Sequence, residues 1–220
     1  MSENSEKARP SAPSVVLLHG LWTSAWHMKL MRKHFEEAGF STHLFDYRTV
    51  LDSPEHSARM LAKAVARIDG SVLHLVGHSL GGIVIRHYFH RYADQREGRV
   101  VTMGTPHRTS LTAAVFNENP VGRFVLGQAL DKGLLGPLPA WDTQRELGSI
   151  AGSLSMGGGR LFARLPKPND GSVVVEETRL AGMADHLVLP VSHSGLLFSA
   201  NAALQAIHFL RHGRFRHTDI

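Results

Sequence analysis

Short apolar runs alternate along the chain with segments in which apolar residues recur every three or four positions. Runs of the first kind are typical of buried strands, and the second spacing is typical of helices with one buried face. Their regular alternation predicts an α/β fold, in which a doubly wound, mostly parallel sheet of about six strands carries helices on both faces. The predicted strands cover residues 15–19, 42–46, 72–76, 99–103, 149–154 and 187–191.

The predicted helices have recognisable ends. Ser53 supplies an N-cap hydroxyl, Pro54 takes the first helical position, where its missing N–H is not needed, and Glu55 lies near the positive end of the helix dipole. Three other helices are predicted. The first opens near Thr23 or Ser24 and ends at Gly39, and the second runs from Leu80 to near Tyr92. The third runs from near Ala200 to His212 and carries Leu204, Ile207 and Leu210 at helical spacing.

The alternation fails between His107 and Leu147, where the chain is rich in Gly, Pro and Asn. This segment follows the fourth predicted strand, a position at which α/β folds insert lids and binding loops. We therefore expect a single domain over residues 14–212 with a lid-like insertion at 107–147. A flexible N-terminal tail at 1–13 and a basic C-terminal tail at 213–220 complete the predicted organisation.

Composition narrows the chemistry. The chain has no cysteine, which excludes disulfides, a thiol nucleophile and cysteine-ligated zinc. Its formal net charge is +5, but basic residues cluster visibly only at Arg211, Arg214 and Arg216. We therefore expect no nucleic-acid partner and leave open a weak association with an anionic membrane surface. The N-terminus lacks an apolar signal segment and no run reaches the ~18 apolar residues of a membrane helix, so we expect a cytoplasmic protein without a transmembrane segment.

A glycine-flanked serine follows the third predicted strand. Residues 77–81 have the pattern G-x-S-x-G and lie between that strand and a predicted helix, which is the context of a nucleophile elbow. A tight turn there exposes the Ser79 hydroxyl and leaves the Leu80 amide unpaired at the helix N-terminus. Ser79 is therefore the predicted nucleophile. The alternative is a serine that merely opens a helix between packing glycines.

The histidines are separated by their positions on the predicted sheet. In a parallel sheet the reacting groups lie beyond the carboxyl ends of the strands. His193 follows the last predicted strand and is at the correct edge, whereas His186 precedes that strand and is at the opposite one. A serine nucleophile needs a base to accept its proton, so His193 is the predicted base.

The orienting carboxylate is expected between Ser79 and His193 in the chain. Asp131 and Asp142 lie in the predicted insertion, and Asp185 lies at the wrong end of its strand. Asp170 follows the fifth predicted strand and is the predicted acid. Its alternative role is that of an ordinary residue in an Asn-Asp-Gly turn.

The first strand ends in His19 and Gly20, and a tight turn there would direct the Leu21 amide toward the same point as the Leu80 amide. These two backbone amides form the predicted oxyanion hole. The predicted substrate-binding residues are Trp22 and Trp26, as core aromatics or walls of an acyl pocket, and His78 and His107, as neighbours of the cleft.

These motifs together resemble the α/β-hydrolase fold superfamily. The resemblance is closer to its small bacterial lipase/esterase-like branch, which is related to the lipase-like domain of GPI-inositol deacylases. Gly-Thr-Pro-His at residues 104–107 points to that branch in particular. The matching segments are residues 15–21, 77–82, 103–107, 169–173 and 192–194, in the family's order.

The resemblance implies a catalytic triad of Ser79, Asp170 and His193, a small-molecule or lipid ester substrate, and neither cofactor nor metal. The short insertion, and the lack of the two leading antiparallel strands of the larger family, favour a small or water-accessible ester over a long-chain triglyceride. Thioesterase, amidase or acyltransferase activity is compatible with the same residues. A non-catalytic binding protein and a metal hydrolase using His87 and His90, or His74 and His78, are the alternatives from other classes.

Overall fold

Six parallel strands form one sheet in a computed structural model, which describes residues 12–92, 94, 96–118, 120–156 and 165–217. The strands are β1 (Ser14–Leu18), β2 (Ser41–Phe45), β3 (Leu73–His78), β4 (Val100–Met103), β5 (Leu147–Gly152) and β6 (Asp185–Leu189). Their order across the sheet is β2-β1-β3-β4-β5-β6. The predicted fold class is thereby confirmed. The predicted tail residues 1–11 and 218–220 lie outside the described residues.

Strand ends differ from the predicted ones by up to two residues. The structure begins β6 at Asp185, two residues before the predicted start, because Asp185 pairs with Gly148 in the ladder even though it is polar. Likewise β3 continues to His78, which pairs with Met103. Backbone hydrogen bonding determines where these strands end, and side-chain polarity does not.

Seven α-helices are described: α1 (Lys29–Glu37), α2 (Pro54–Val65), α3 (Leu80–Arg91), α4 (Leu111–Asn117), α5 (Pro120–Leu126), α6 (Gly195–Phe198) and α7 (Ala200–His212). The Ser53 hydroxyl accepts the His56 amide at 3.2 Å and caps α2 as predicted. Gly213 takes a left-handed conformation (φ 74°) at the end of α7, a common way for a helix to stop. No described helix has both the length and the apolarity needed to cross a membrane.

Strand β1, second from the edge of the sheet, is apolar on both faces because helices cover both. Val15 and Leu17 belong to the cluster formed with α1 and α7, which includes Phe35 and Phe209. Val16 and Leu18 belong to the cluster on the other face, formed with α2 and α3. A parallel sheet requires this double cover, since each crossover helix packs on one face or the other.

Helix α7 carries a mixed apolar stripe. Ile207 and Leu210 are buried, but Leu204 lies on the outer face with 60% of its surface exposed. Helical spacing alone predicts all three residues on one face of α7, whereas the rotation of α7 about its axis buries only Ile207 and Leu210 against the sheet. Phe215, beyond the end of the helix, returns to the core and packs on Phe209 with ring centroids 4.9 Å apart.

The parallel arrangement brings the carboxyl ends of all six strands to one edge of the sheet. The segment predicted as an insertion folds over this edge as α4 and α5, followed by a short 3-10 turn and a π-turn. Its apolar residues Ala113, Leu126 and Leu134 pack on Leu80 and Ile83 of α3. The insertion is therefore joined to the helix that follows Ser79.

The same leucine-to-alanine substitution at two positions of α7 tests this packing. Leu210→Ala should lower the free energy of unfolding by about 2–5 kcal/mol, because it removes a fully enclosed side chain. Leu204→Ala should change it by less than about 0.5 kcal/mol, since that side chain is exposed. Urea unfolding measures both values. Equal losses in the two variants would contradict the orientation of α7.

Candidate active site

Ser79 lies in the turn between β3 and α3 with a backbone conformation that non-glycine residues rarely adopt (φ 51°, ψ −119°). Such a conformation costs on the order of 1–3 kcal/mol and requires support from its surroundings. Here the Ser79 amide donates to the Met103 carbonyl at 2.8 Å. The Ser79 carbonyl accepts the Thr105 hydroxyl at 2.8 Å. The strand next to β3 thus holds the strained turn.

Two glycines make room for this turn. A Cβ atom at Gly77 would lie 2.6 Å from the Gly82 amide nitrogen, and one at Gly81 would lie 2.7 Å from the Leu18 carbonyl oxygen. Both distances are shorter than any real carbon contact and both partners are backbone atoms, which cannot swing away. The glycines of the motif are therefore explained by steric packing at the junction of β1, β3 and α3.

His193 and Asp170 are paired beyond the ends of β5 and β6. The Asp170 carboxylate accepts a hydrogen bond from Nδ1 of His193 at 2.7 Å. Because a carboxylate is only an acceptor, Nδ1 must carry the proton, and Nε2 of a neutral ring is then free to accept one. The loops are also linked by the His193 amide, which donates to the Asp170 carbonyl at 2.9 Å.

The Asp170 side chain is held by its own turn. Its Oδ1 atom accepts the amides of Ser172 at 2.9 Å and Val173 at 2.7 Å, while Oδ2 faces His193. Only 1% of Asp170 is exposed. Three hydrogen-bond donors, the two amides and the His193 ring, give this buried carboxylate a fixed direction. The turn that offered an alternative, purely structural role for Asp170 therefore also orients its carboxylate toward His193.

His78 supports the opposite side of His193. Its Nε2 atom lies 3.0 Å from the His193 carbonyl, to which it can only donate, and the two rings are 4.8 Å apart. Burial lowers the pKa of His78 to about 3, so its ring is neutral near pH 7. His78 lines the cavity that Ser79 and His193 also line. Its main contact is nevertheless with the backbone of His193.

Leu21 follows Gly20, at which a Cβ atom would lie 3.0 Å from the Ser79 Cβ atom, and Leu80 directly follows Ser79 in the chain. Leu80 is the first residue of α3, and neither amide has a protein acceptor among the described residues. Beneath the Leu21 turn, His19 is fully buried and stacks on Tyr47 with ring centroids 4.5 Å apart. Burial lowers the pKa of His19, against the opposing effects of the Gly20 carbonyl and of Asp46, whose carboxylate lies 3.1 Å from Nε2.

A cavity of about 850 Å³ opens above Ser79 and His193. Its walls are largely apolar and come from α4 and α5 of the insertion, from the Leu21 turn and from the loop after Asp170. Trp22 is one of the lining residues. The structure does not bring Trp26 or His107 to this cavity: Trp26 is 64% exposed elsewhere, and His107 is buried with Nε2 at 3.0 Å from the Thr102 hydroxyl.

The competing acids lie away from the pair. Asp185 is the first residue of β6, at the opposite edge of the sheet, where it accepts the Phe215 amide. Asp142 is exposed in the insertion. Of the histidines considered for a metal, His87 is buried on α3 and His90 is exposed. Among the described residues no group of three or more His, Asp or Glu side chains is arranged to hold a metal ion.

Sequence reasoning missed the residues that fasten the insertion to the site. Glu177 is buried and accepts the Leu111 amide at 2.9 Å, at the start of α4, and burial raises the pKa of its carboxyl. Arg86 on α3 is buried and donates to the carbonyls of His107 and Pro139, near the two ends of the insertion. No spacing rule reveals these bonds, because each joins segments far apart in the chain.

The family model for the alpha/beta hydrolase fold matches residues 13–147, which is more than half of the chain. The protein therefore belongs to the α/β-hydrolase family. No curated protein sequence matches the chain significantly.

Solved structures with this fold include bacterial lipases and esterases. The mature Bacillus licheniformis lipase BlEst2 is 20% identical, with a TM-score of 0.67 over 94% of each chain. The Bacillus subtilis carboxylesterase CesB is 16% identical, with a TM-score of 0.61 over 93% of this chain and 85% of its own. A lipase-esterase related protein from Clostridium acetobutylicum is 11% identical, with a TM-score of 0.61 over 90% of this chain and 93% of its own. At these identities the likeness establishes the fold.

The buried His107 makes stability depend on pH. Burial lowers its pKa from 6.5 to about 3, so between these values the unfolded chain binds a proton that the folded chain does not. Stability is therefore lost as the pH falls below 6.5, by up to about 1.4 kcal/mol per pH unit for this group. His107→Gln should reduce the pH dependence of the unfolding free energy between pH 6 and pH 4 by that amount.

The matched control is His90→Gln, because His90 is exposed on α3. Urea unfolding at several pH values should show that the unfolding free energy of this variant changes with pH as it does in the unsubstituted protein. If the unfolding free energy of His107→Gln also changes with pH in the same way, His107 does not resist protonation in the folded protein.

Proposed function

We propose that the chain is a serine-dependent carboxylic ester hydrolase that forms an acyl-enzyme on Ser79. The observation that carries the proposal is the 2.7 Å bond from His193 to a buried Asp170, at the edge of a cavity that Ser79 and His193 both line. The strained, half-buried serine between β3 and α3 supports it. So do the esterase and lipase names of the structural neighbours.

In the first half of the proposed reaction, the Ser79 oxygen attacks the ester carbonyl while Nε2 of His193 takes the hydroxyl proton. The Leu21 and Leu80 amides donate to the oxyanion of the tetrahedral intermediate. The carbon–oxygen bond to the alcohol then breaks, and His193 returns its proton to the departing alcohol oxygen. Ser79 is left as an ester of the acyl group.

In the second half, water attacks the acyl carbonyl and His193 accepts a proton from it. Collapse of the new intermediate breaks the bond to Ser79, which regains a proton from His193, and the carboxylic acid leaves. Asp170 stays ionised throughout and stabilises the imidazolium that forms twice per cycle. Its two amide donors keep it in position for this role.

The same groups would act on a thioester or an amide, or would transfer the acyl group to another alcohol. We place ester hydrolysis first because the named relatives are esterases and lipases. The relation to GPI-inositol deacylases and a cytoplasmic location stay predictions. A binding protein without catalysis is the alternative from another class, and labelling of the nucleophile separates it from an enzyme.

Replacement of the nucleophile is the direct test. Ser79→Ala should lower the hydrolysis of p-nitrophenyl butyrate by about 10⁴-fold or more, because it removes the oxygen that carries the acyl group in the proposed mechanism. A fluorophosphonate probe followed by peptide mapping should modify Ser79 in the unsubstituted protein. Ser71→Ala is the control, since Ser71 is exposed before β3. An unlabelled Ser79 would favour the binding protein, and unchanged turnover in Ser79→Ala would exclude this serine as the nucleophile.

A second pair of variants tests the acid. Asp170→Asn should lower kcat by about 10³- to 10⁴-fold, because the amide no longer stabilises the imidazolium or selects the ring tautomer. Asp142→Asn should stay within about twofold, since Asp142 is exposed in the insertion. Steady-state kinetics with p-nitrophenyl butyrate measures both. The opposite ranking would move the acid into the insertion.

A further inference from the structure

Trp22 has a backbone conformation that bulky residues almost never adopt. Its φ is 57°, in the left-handed region, and it directly follows Leu21. The Trp22 amide donates to the hydroxyl of Thr49, a buried residue, at 3.2 Å. Strain of this kind persists only where surrounding contacts hold it, and it concentrates at functional sites. The left-handed turn leaves the indole 54% exposed at the rim of the cavity and outside the apolar core.

The Trp22 indole contacts both helices of the insertion. Its Nε1–H donates to the Val125 carbonyl at 3.0 Å, and Val125 lies in the last turn of α5, where carbonyls have no partner within the helix. Its ring lies 6.1 Å from the ring of Phe116 on α4. One side chain therefore connects the turn beside Ser79 with α4 and α5.

These two helices form the apolar roof of the cavity, defined here by Phe116, Val121, Val125 and Leu126. Ser79 and His193 lie at its floor. No Asp, Glu, Lys or Arg side chain lines the cavity within the part of the chain that the structure describes. At about 850 Å³ the space is in the range of pockets that enclose a whole small ligand. An acyl group must extend from Ser79 to the roof to fill it.

The other polar attachments of the roof lie at its margins. The Thr112 hydroxyl donates to the Ser172 carbonyl at 2.5 Å, and the Gln128 amide donates to the Val50 carbonyl at 2.9 Å. They hold the start of α4 and the chain after α5. The bond from Trp22 instead attaches α5 to a residue that lines the cavity together with Ser79.

We infer that Trp22 is a specificity-determining residue, which holds the α4 and α5 roof over Ser79 and thereby selects uncharged esters with an extended apolar acyl group. This inference rests on the proposed ester hydrolysis and names its substrate class. It also differs from the prediction of a small ester substrate, which was based on the short insertion. A short acyl group does not reach the roof, so its reaction depends less on Trp22 than that of a long one.

The test compares p-nitrophenyl acetate with p-nitrophenyl octanoate. The unsubstituted protein should show a kcat/KM for octanoate at least about tenfold above that for acetate, because added methylenes contact the roof. Trp22→Phe keeps an aromatic ring but removes the N–H donor. It should lower the ratio of the two kcat/KM values by about threefold to tenfold, the effect of one neutral hydrogen bond.

Trp141→Phe is the matched control. The Trp141 indole also donates to a backbone carbonyl, that of Arg145 at 2.9 Å, but Trp141 does not line the cavity. This variant loses an equivalent bond within the insertion and should leave the ratio unchanged. Trp22→Gly is the second test variant, because glycine adopts the left-handed conformation without strain. It removes the whole indole and should lower the ratio by about tenfold or more.

A measurement without substrate checks the same contact. In hydrogen exchange, the amides of residues 121–126 should exchange faster in Trp22→Phe than in the unsubstituted protein or in Trp141→Phe. An unchanged ratio in both Trp22 variants, or a preference of the unsubstituted protein for acetate, would overturn the inference while ester hydrolysis stands. Hydrolysis of neither ester, with Ser79 unlabelled by the fluorophosphonate, would overturn the proposed function and this inference together.

Discussion

The common direction of the six strands is the constraint on which the rest of the molecule depends. Parallel strands need crossover helices, which cover both faces of the sheet, so a strand such as β1 can be apolar at four of its five positions. The same geometry gathers every carboxyl end at one edge, and there the chain leaves the regular pattern. The Ser79 turn, the Asp170 turn and the His193 loop all begin at that edge, although 114 residues separate the first from the last.

Strain at that edge is supported by rigid neighbours. Ser79 and Trp22 are the two non-glycine residues with positive φ among those described, and both border the same cavity. Backbone and hydroxyl groups of adjacent segments hold each of them: Met103 and Thr105 for Ser79, and Thr49 for Trp22. A packed parallel sheet tolerates such turns because its strands cannot shift to relieve them.

The insertion determines the shape of the cavity at this edge of the sheet. Buried polar residues fasten it to the domain, with Arg86 near its two ends and Glu177 at the start of α4. Its apolar face continues onto α3 through Ile83, so α3 and the roof share one cluster. The shape of the cavity therefore follows from contacts between the insertion and the sheet edge, and the positions of Ser79, Asp170 and His193 do not determine it.

The sequence by itself determined the six strands and the strand–helix turn at Ser79, and it singled out Asp170 and His193, which the structure pairs, because period, glycine spacing and strand order are local or topological properties. The predictions for Asp170 and His193 needed only the rule that strand ends meet. The tertiary structure decided which apolar residues are buried, as Leu204 and Phe215 show. It also decided that Trp22 lines the cavity while Trp26 and His107 do not. Those outcomes depend on the rotation and packing of segments distant in the chain, which no local pattern records.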